Sequence, residues 1–263
     1  MPGIRDDTMS FARKNSGNGT LLGGYPIYGI RLGIIMLDCK FPRPSGDVGN
    51  ARTFPYPVHY EILEGVEAGD LTKHEAGAAI DALVDACKRL EHKGVVGIIT
   101  SCGLLIRYQR LLAEKLSIPV ATSSLVLLPL LDLLFPRHKK IGIITADSSL
   151  LNFETLAQTA WTQQERVRIG GMENCTSFRK AILEPVPPYA LEPDRVCREV
   201  LDLCRSMLDD CPDIGVFLLE CTNLAPYRSA ISSTYSIPVF DIVHCASFLA
   251  TGIDFGSGES IDR

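Results

Sequence analysis

The chain has 263 residues, 46% of them hydrophobic, with a formal net charge of −5 and an isoelectric point near 5.6. A chain of this size and composition can bury a substantial core in one large domain or in two smaller ones. The acidic balance and the scattered Lys and Arg residues argue against a nucleic-acid partner. No stretch approaches about 18 uninterrupted apolar residues, so we predict no membrane span and no membrane partner.

The N-terminal segment is rich in Gly, Asn and Ser and lacks the apolar core of a secretory signal. We therefore predict a flexible arm over residues 1–29 and a cytoplasmic protein. The nine cysteines are an odd number and show no paired CxxC spacing. Neither a disulfide framework nor a structural metal site is indicated, and we predict no metal.

From Arg31 onward, short apolar runs alternate with segments of helical periodicity. In chain order we predict a strand over 31–38, a Pro- and Gly-rich loop, a helix over 74–90, a strand over 95–100, a helix through 116 and a strand over 118–121. The pattern restarts with a strand over 140–147, a helix near 153–163, a strand near 167, a helix over 194–208, a strand over 214–219 and one more helix and strand. This alternation predicts an α/β fold with parallel sheets covered on both faces. We place a first lobe over 30–137 and a second over 138–240, with the tail over 241–263 packing on the first.

An internal repeat contains one cysteine in each copy. Cys102 in "TSCG" and Cys221 in "ECTN" are 221 − 102 = 119 residues apart. The same offset aligns other positions without a gap: Leu105 with Leu224, Tyr108 with Tyr227, and the two "SIPV" segments that contain Pro119 and Pro238. A shared apolar pattern accounts for the aliphatic matches but not for the Cys and Pro matches. The repeat therefore favours a duplication and two pseudo-symmetric lobes.

Each of the two cysteines ends a predicted strand and begins a predicted helix. The carboxyl edge of a parallel sheet is where ligands bind, and helix N-terminal amides stabilise anions there. We therefore expect the pKa of both thiols to be lowered, and the same amides to be available for a substrate carboxylate. In pseudo-symmetric lobes the two thiols would face each other across a cleft. One could then remove a proton from a carbon and the other return it to the opposite face, which inverts the centre without a cofactor.

These residues resemble the aspartate/glutamate/hydantoin racemase superfamily. The resemblance begins near Arg31 and depends on the two cysteine motifs, on the strands "GIIMLD" and "IGIITAD", and on the loop "FPRPSGDVGNARTFPYPV". It implies two flavodoxin-like lobes with the active site in the interlobe cleft. It also implies that Cys102 and Cys221 act as acid and base, that no pyridoxal phosphate or metal is used, and that the protein is a homodimer or higher homo-oligomer.

The residues after each cysteine depart from the better-known members. Asn-Thr usually follows the first cysteine, whereas Gly103 and Leu104 stand here. The usual threonine after the second cysteine is present as Thr222, but Asn223 replaces an acidic or histidine-containing pattern. Aspartate or glutamate as the substrate is therefore not indicated, while the two-thiol mechanism is unaffected.

Polar residues at the same predicted sheet edge complete the candidate site. The predicted substrate-binding set is Asp38, Ser101, Gly103, Thr122, Ser123, Thr145, Thr222 and Asn223. Asp38 could equally cap a loop, and the hydroxyls of Thr122 and Ser123 could equally cap the next helix. Further candidates with commoner structural roles are Arg43, Arg52, Asp147 and His244. Glu220 adjoins Cys221 and could turn away from the cleft, because neighbouring strand residues point to opposite faces.

The leading hypothesis is a cofactor-independent racemase or epimerase of an amino acid or related small carboxylate. Three alternatives stay open. A maleate-type cis–trans isomerase would add one cysteine to a double bond, and an arylmalonate-type decarboxylase would use a single thiol. The third alternative is a non-catalytic two-lobe module that binds a small ligand. The two matched cysteines disfavour the decarboxylase and the binding module.

Overall fold

The computed structural model describes residues 27–72 and 77–252. Most of the predicted N-terminal arm and residues 253–263 of the predicted tail lie outside them. Within the described residues the strands form two four-stranded sheets, in which every pairing is parallel. The first sheet has the order β2-β1-β3-β4, with β1 Leu32–Leu37, β2 Val58–Leu63, β3 Gly97–Thr100 and β4 Val120–Ala121. The second has the order β6-β5-β7-β8, with β5 Lys140–Thr145, β6 Val167–Gly171, β7 Ile214–Leu219 and β8 Val239–Phe240.

Helices cover both sheets. The α-helices are α1 Ala68–Thr72, α2 Gly77–His92, α3 Gln109–Lys115, α4 Leu128–Leu134, α5 Phe153–Ala157, α6 Thr176–Phe178, α7 Pro193–Asp210, α8 Arg228–Tyr235 and α9 Ile242–Thr251. Short 3-10 helices span Ala51–Thr53, Gly103–Tyr108, Ser124–Leu127, Ser148–Leu150, Gln164–Arg166 and Thr222–Tyr227, and a π-helical turn spans Arg179–Leu183. None of the helices within 27–72 and 77–252 has the length and apolar composition that a membrane span requires.

The two sheets have the same strand order, because adding four to each strand number in β2-β1-β3-β4 gives β6-β5-β7-β8. This is the order of flavodoxin-like sheets, in which ligands bind beyond the carboxyl ends of the strands. The predicted α/β fold with two lobes is therefore confirmed. The lobe boundaries at 137 and 240 stay predictions.

The repeat extends through a complete supersecondary unit. The 3-10 helix Gly103–Tyr108 in the first lobe corresponds to Thr222–Tyr227 in the second, since 103 + 119 = 222 and 108 + 119 = 227. Helices α3 and α8 follow at once in each copy, and β4 and β8 begin at the same offset, 120 + 119 = 239. The sequence offset therefore corresponds to equivalent elements of the two lobes.

Strand β2 was missed by the sequence patterns, which predicted a loop in this region. It pairs with β1 from Leu32↔Val58 to Leu37↔Leu63. It is an edge strand in which Leu63 is buried but Ile62 is 55% exposed, so it lacks the continuous apolar run of a central strand. Helix α5 also ends at Ala157, earlier than the predicted 163.

Helix α9 packs on the first sheet rather than on the second, although it follows β8 in sequence. Its buried Ile242, Cys245 and Ala246 form one apolar cluster with residues of β1, among them Leu32 and Ile34. Helix α9 therefore completes the first lobe. Within the described residues the chain passes from the first lobe to the second and then back to the first.

Candidate active site

Cys102 and Cys221 occupy equivalent places at the carboxyl ends of β3 and β7. Each is the residue from which a six-residue 3-10 helix begins, and neither side chain caps that helix. Cys102 is partly exposed, whereas Cys221 is 7% exposed. Both cysteines therefore lie at the sheet edges where ligands of this fold class bind.

Hydrogen bonds between the lobes bring these two strand ends together. Thr222 Oγ1 donates to the carbonyl oxygen of Ser101 at 2.7 Å, and Ser124 Oγ donates to the carbonyl oxygen of Leu219 at 2.6 Å. Ser101, Ser124 and Thr222 are all buried. Ionisation of Cys102 raises the pKa of Cys221, so the two thiols act on each other electrostatically. The structure thus places the two cysteine motifs in one interlobe site.

The pKa of both thiols is raised, which is opposite to the sequence expectation. Burial, followed by the charge of Glu220, raises the pKa of Cys102 to about 12. Hydrogen bonds from the backbone at Leu104 and Leu105 act in the expected direction and lower it, but burial outweighs them. Burial and Glu220, in the same order, raise the pKa of Cys221 well above the usual range. The short 3-10 helices do not offset the loss of hydration at the lobe interface.

Glu220, for which strand alternation left an outward orientation open, lies inside this interface. It is 1% exposed, and its Oε2 accepts a hydrogen bond of 2.7 Å from Thr145 Oγ1. Its Oε1 is buried without a hydrogen-bond partner among the described residues. Burial raises the pKa of Glu220 to about 7, although the bond from Thr145 lowers it. A carboxyl group that titrates near neutrality therefore stands between the two lobes, beside both thiols.

Residue 103 must be a glycine, because Glu220 occupies the space that a side chain at this position would need. A Cβ atom at Gly103 would overlap both the carbonyl oxygen and Oε1 of Glu220. This explains the departure from the better-known pattern after the first cysteine. The Asn found there in other members would collide with the second lobe of this chain.

The Pro-rich loop of the first lobe is fastened to the second lobe by Asp47, a residue that the sequence patterns did not single out. Asp47 is 2% exposed and accepts hydrogen bonds from Arg43 Nη1 at 2.9 Å, from the Gly49 amide at 2.8 Å and from Asn223 Nδ2 at 2.9 Å. Gly46 has a φ of +101° and lies so close to Pro226 that a Cβ atom would not fit. The sequence did offer one signal for Asp47: it is the acidic residue that stands between Gly46 and Gly49 in the loop on which the family resemblance partly depends.

Several predicted substrate-binding residues also have structural partners. Asp38 accepts a hydrogen bond of 3.0 Å from the Gly65 amide. Thr122 directs both its hydroxyl and its amide to Gln109 Oε1 at 2.9 Å, and Ser123 caps the 3-10 helix Ser124–Leu127 through the Leu125 amide. Ser101 Oγ accepts a hydrogen bond of 3.0 Å from a backbone amide of β1. Their roles in substrate binding stay predictions.

The four further candidates lie in structural positions as well. The guanidinium of Arg43 bonds Asp47 and lies 4.6 Å from the ring centroid of Phe41. Arg52 is exposed in the helical turn Ala51–Thr53. Two candidates begin helices: Asp147 caps Ser148–Leu150, and His244 forms a capping box with Asp241 at the start of α9. The assignment of these four residues to the site stays a prediction.

No group of three His, Cys, Asp or Glu residues in the described part of the chain is arranged to hold a metal ion. The groups that the described residues bring to the site are two thiols, one buried carboxyl group and the backbone amides that follow each cysteine.

No protein-family model matches the chain. Dimethylsulfoniopropionate lyase 7 of Emiliania huxleyi (strain CCMP1516) is 30% identical over 235 residues, which cover 85% of this chain and 67% of the relative. The chain belongs to the dimethylsulfoniopropionate lyase family. It spans about two thirds of the length of that relative, and the match includes most of the chain.

Solved structures share the fold of this chain at low sequence identity. Arylmalonate decarboxylase is 19% identical, with a TM-score of 0.55 over 86% of this chain and 94% of the other. Glutamate racemase RacE1 of Bacillus anthracis is 14% identical, with a TM-score of 0.54 over 87% of this chain and 84% of the other. These structures confirm the two-lobe α/β fold that the sequence resemblance implies. The lyase relatives support the prediction of an enzyme, whereas the predicted isomerase class is not confirmed.

Proposed function

We propose that this protein is a lyase that cleaves dimethylsulfoniopropionate at its carbon–sulfur bond. In this substrate a positively charged sulfonium group stands on the carbon β to a carboxylate. A base removes the α-proton, and the electron pair of that carbon–hydrogen bond forms a carbon–carbon double bond. The electron pair of the carbon–sulfur bond leaves with the sulfur atom. The products are acrylate, neutral dimethyl sulfide and one proton. The observation that carries the proposal is that the two cysteine motifs of a lyase-family chain meet in one interlobe site.

A thiolate from Cys102 or Cys221 is the base in this proposal. Burial and the charge of Glu220 raise the pKa of both thiols in the free enzyme, so the thiolate forms only at a cost. The positively charged sulfonium group of the substrate offsets that cost, because an opposite charge nearby favours the ionised thiol. A zwitterion with a sulfonium group therefore suits this site better than a carboxylate that carries no positive charge. The backbone amides that follow each cysteine are the candidates to hold the substrate carboxylate.

Product analysis with cysteine variants tests this function. The purified protein is incubated with dimethylsulfoniopropionate, acrylate is quantified by liquid chromatography and dimethyl sulfide by gas chromatography. Cys102→Ala and Cys221→Ala are each expected to lower kcat/KM by about 10²- to 10⁴-fold, the usual contribution of a general base or acid. Cys197→Ala, which changes a partly exposed cysteine on α7, serves as the matched control. A wild-type protein that releases no acrylate, or full activity in both of these single-cysteine variants, would overturn the proposal.

Racemisation of an amino acid or related carboxylate is the second candidate, and the equivalence of the two cysteines favours it. Elimination requires one base, whereas inversion at a carbon requires an acid and a base on opposite sides. The experiment incubates amino acids, hydantoins, maleate and arylmalonates with the enzyme in deuterated water, followed by chiral chromatography and mass spectrometry. Inversion with deuterium at the α-carbon, abolished by loss of either cysteine, would support a racemase. Isomerised maleate or decarboxylated arylmalonate would support the isomerase or decarboxylase instead. Ligand binding without any turnover would support the binding module.

A further inference from the structure

Elimination differs from racemisation in what it does with the proton. A two-base racemase returns a proton to the carbon in each turnover, so the site ends with as many protons as it had. Elimination from dimethylsulfoniopropionate leaves the abstracted proton on the base and releases neutral dimethyl sulfide. If the base is a buried thiol, that proton must leave the site before the next turnover. A lyase of this construction therefore needs a proton acceptor beside the thiols.

Glu220 has the position and the unused hydrogen-bonding capacity that such an acceptor requires. Its Oε2 is held by Thr145, whereas Oε1 is buried with no hydrogen-bond partner in the described part of the chain. Oε1 lies against the backbone of Gly103, the residue next to Cys102, and Glu220 itself directly precedes Cys221. Buried carboxylate oxygens are normally paired, so an unpaired one calls for an explanation. Here the unpaired oxygen belongs to the residue before Cys221 and lies against the residue after Cys102.

We propose that Glu220 accepts the proton of the thiol that acts as base and passes it to solvent, so that the site carries one negative charge at most. This inference rests on the proposed lyase function. In the resting enzyme Glu220 is a carboxylate and both thiols are protonated. Proton transfer from sulfur to Oε1 then creates the thiolate and a neutral carboxyl group. The thiolate removes the substrate α-proton, dimethyl sulfide leaves, and the proton on Glu220 passes to water.

The electrostatics of the site are consistent with this cycle. The charge of Glu220 is the second-largest cause, after burial, of the raised pKa of both Cys102 and Cys221. Ionising a thiol next to a charged Glu220 is therefore disfavoured, and moving the charge from carboxylate to sulfur avoids a state with two charges. The other ionisable groups that act on the thiols are Cys39 for Cys102 and Asp47 for Cys221. The hydroxyl of Thr145 is the neighbour from β5.

Glu220→Gln keeps the shape of the side chain but cannot accept the proton. We expect kcat for acrylate release to fall by about 10²-fold or more. Thiol ionisation should change in the opposite direction. Reaction of Cys102 and Cys221 with methyl methanethiosulfonate, followed by peptide mass spectrometry, should be about tenfold faster than in the wild type at pH 8, because no competing carboxylate charge forms. Glu173→Gln is the matched control, since Glu173 accepts a hydrogen bond from Ser148 and follows strand β6 of the same sheet. This control should leave both rates unchanged.

The two measurements separate the possible roles of Glu220. Slower turnover with faster thiol modification supports proton acceptance. Loss of both rates indicates a structural role, a gain in both indicates that Glu220 only suppresses thiol ionisation, and no change in either leaves Glu220 without a role. Each of these three outcomes overturns the inference.

The pH profile of thiol modification tests the inference whatever the substrate is. The wild-type rate should level off above about pH 7, where Glu220 ionises, while the Glu220→Gln rate keeps rising about tenfold per pH unit. A wild-type rate that does not level off overturns the inference, whereas absence of acrylate release alone overturns the proposed function. If Glu220→Gln does not fold, Thr145→Val serves instead. Loss of its hydrogen bond to Glu220 should move the levelling-off to higher pH, and an unmoved profile would count against the inference.

Discussion

The two cysteine motifs have the same backbone arrangement, but the residues immediately before and after the cysteine differ between them. At the offset of 119, Ser101 corresponds to Glu220 and Gly103 corresponds to Thr222. The contacts across the interface are reciprocal. Thr222 bonds the carbonyl oxygen of Ser101, and Gly103 lies against the carbonyl oxygen of Glu220. The two thiols therefore occupy equivalent positions in the two lobes, but an ionisable residue, Glu220, adjoins the cysteine only in the second motif.

This difference bears on the choice between inversion and elimination. Two thiols in matched surroundings would serve proton removal and proton return equally. The buried carboxyl group of Glu220 makes the surroundings unequal, and it adds a proton acceptor that inversion does not require. The comparison of the two motifs thus favours an elimination in which a proton leaves the site, consistent with the lyase relatives.

Making the first motif resemble the second should have the largest effect. Gly103→Thr would place side-chain atoms in the space of the carbonyl oxygen and Oε1 of Glu220. Because backbone atoms cannot yield as a flexible side chain can, we expect a loss of more than about 3 kcal/mol in the free energy of unfolding, measured by denaturant titration. Gly77→Ala, at a position where a Cβ meets no atom within 4 Å, is the control. Normal stability of Gly103→Thr would show that the lobes can separate here.

Removing the charge from the second motif should change the pH dependence of stability. Burial raises the pKa of Glu220 to about 7 from its usual 4.5, so the folded protein binds this proton more tightly than the unfolded chain does. The free energy of unfolding of the wild type should therefore fall as the pH rises from about 4.5 to 7. The fall should be about 3 kcal/mol relative to Glu220→Gln, with no further change above pH 7. Denaturant titrations of both proteins from pH 4 to 8 measure the difference. A constant difference across that range would contradict the raised pKa.

The contact between Asn223 and the Pro-rich loop also has no counterpart in the first motif, where Leu104 stands at the equivalent position. Asn223→Leu should leave Asp47 Oδ2 without this buried donor and cost about 1–3 kcal/mol. The loop over 42–50 should then be cleaved faster in limited proteolysis. Asn223→Asp, which retains the shape but adds a second carboxylate near Asp47, should be at least as damaging. Proteolysis at the wild-type rate in both variants would show that other contacts hold the loop.

The sequence predicted the fold better than the site, for identifiable reasons. The strands that were predicted are mostly central and fully buried, as in β1 and β7, and their apolar runs are unambiguous. Glu220 was misjudged because strand alternation was extended one residue beyond Leu219, where β7 ends and the backbone turns. Asp47 was missed because its importance depends on a partner 176 residues away in sequence. The lowered thiol pKa was expected from the helix starts, but burial at the lobe interface cannot be read from either motif alone.

The smallest expected effect concerns the hydrogen bond that joins the two motifs. Thr222→Val removes the donor to the Ser101 carbonyl oxygen at nearly constant volume, and a bond of this kind contributes about 1 kcal/mol. Thr222→Ser keeps the hydroxyl and should retain most of the wild-type stability. If the bond also fixes the spacing of the thiols, kcat should fall in Thr222→Val and recover in Thr222→Ser, while KM changes little. Equal kcat in both variants would mean that other contacts between the lobes set the spacing of the thiols.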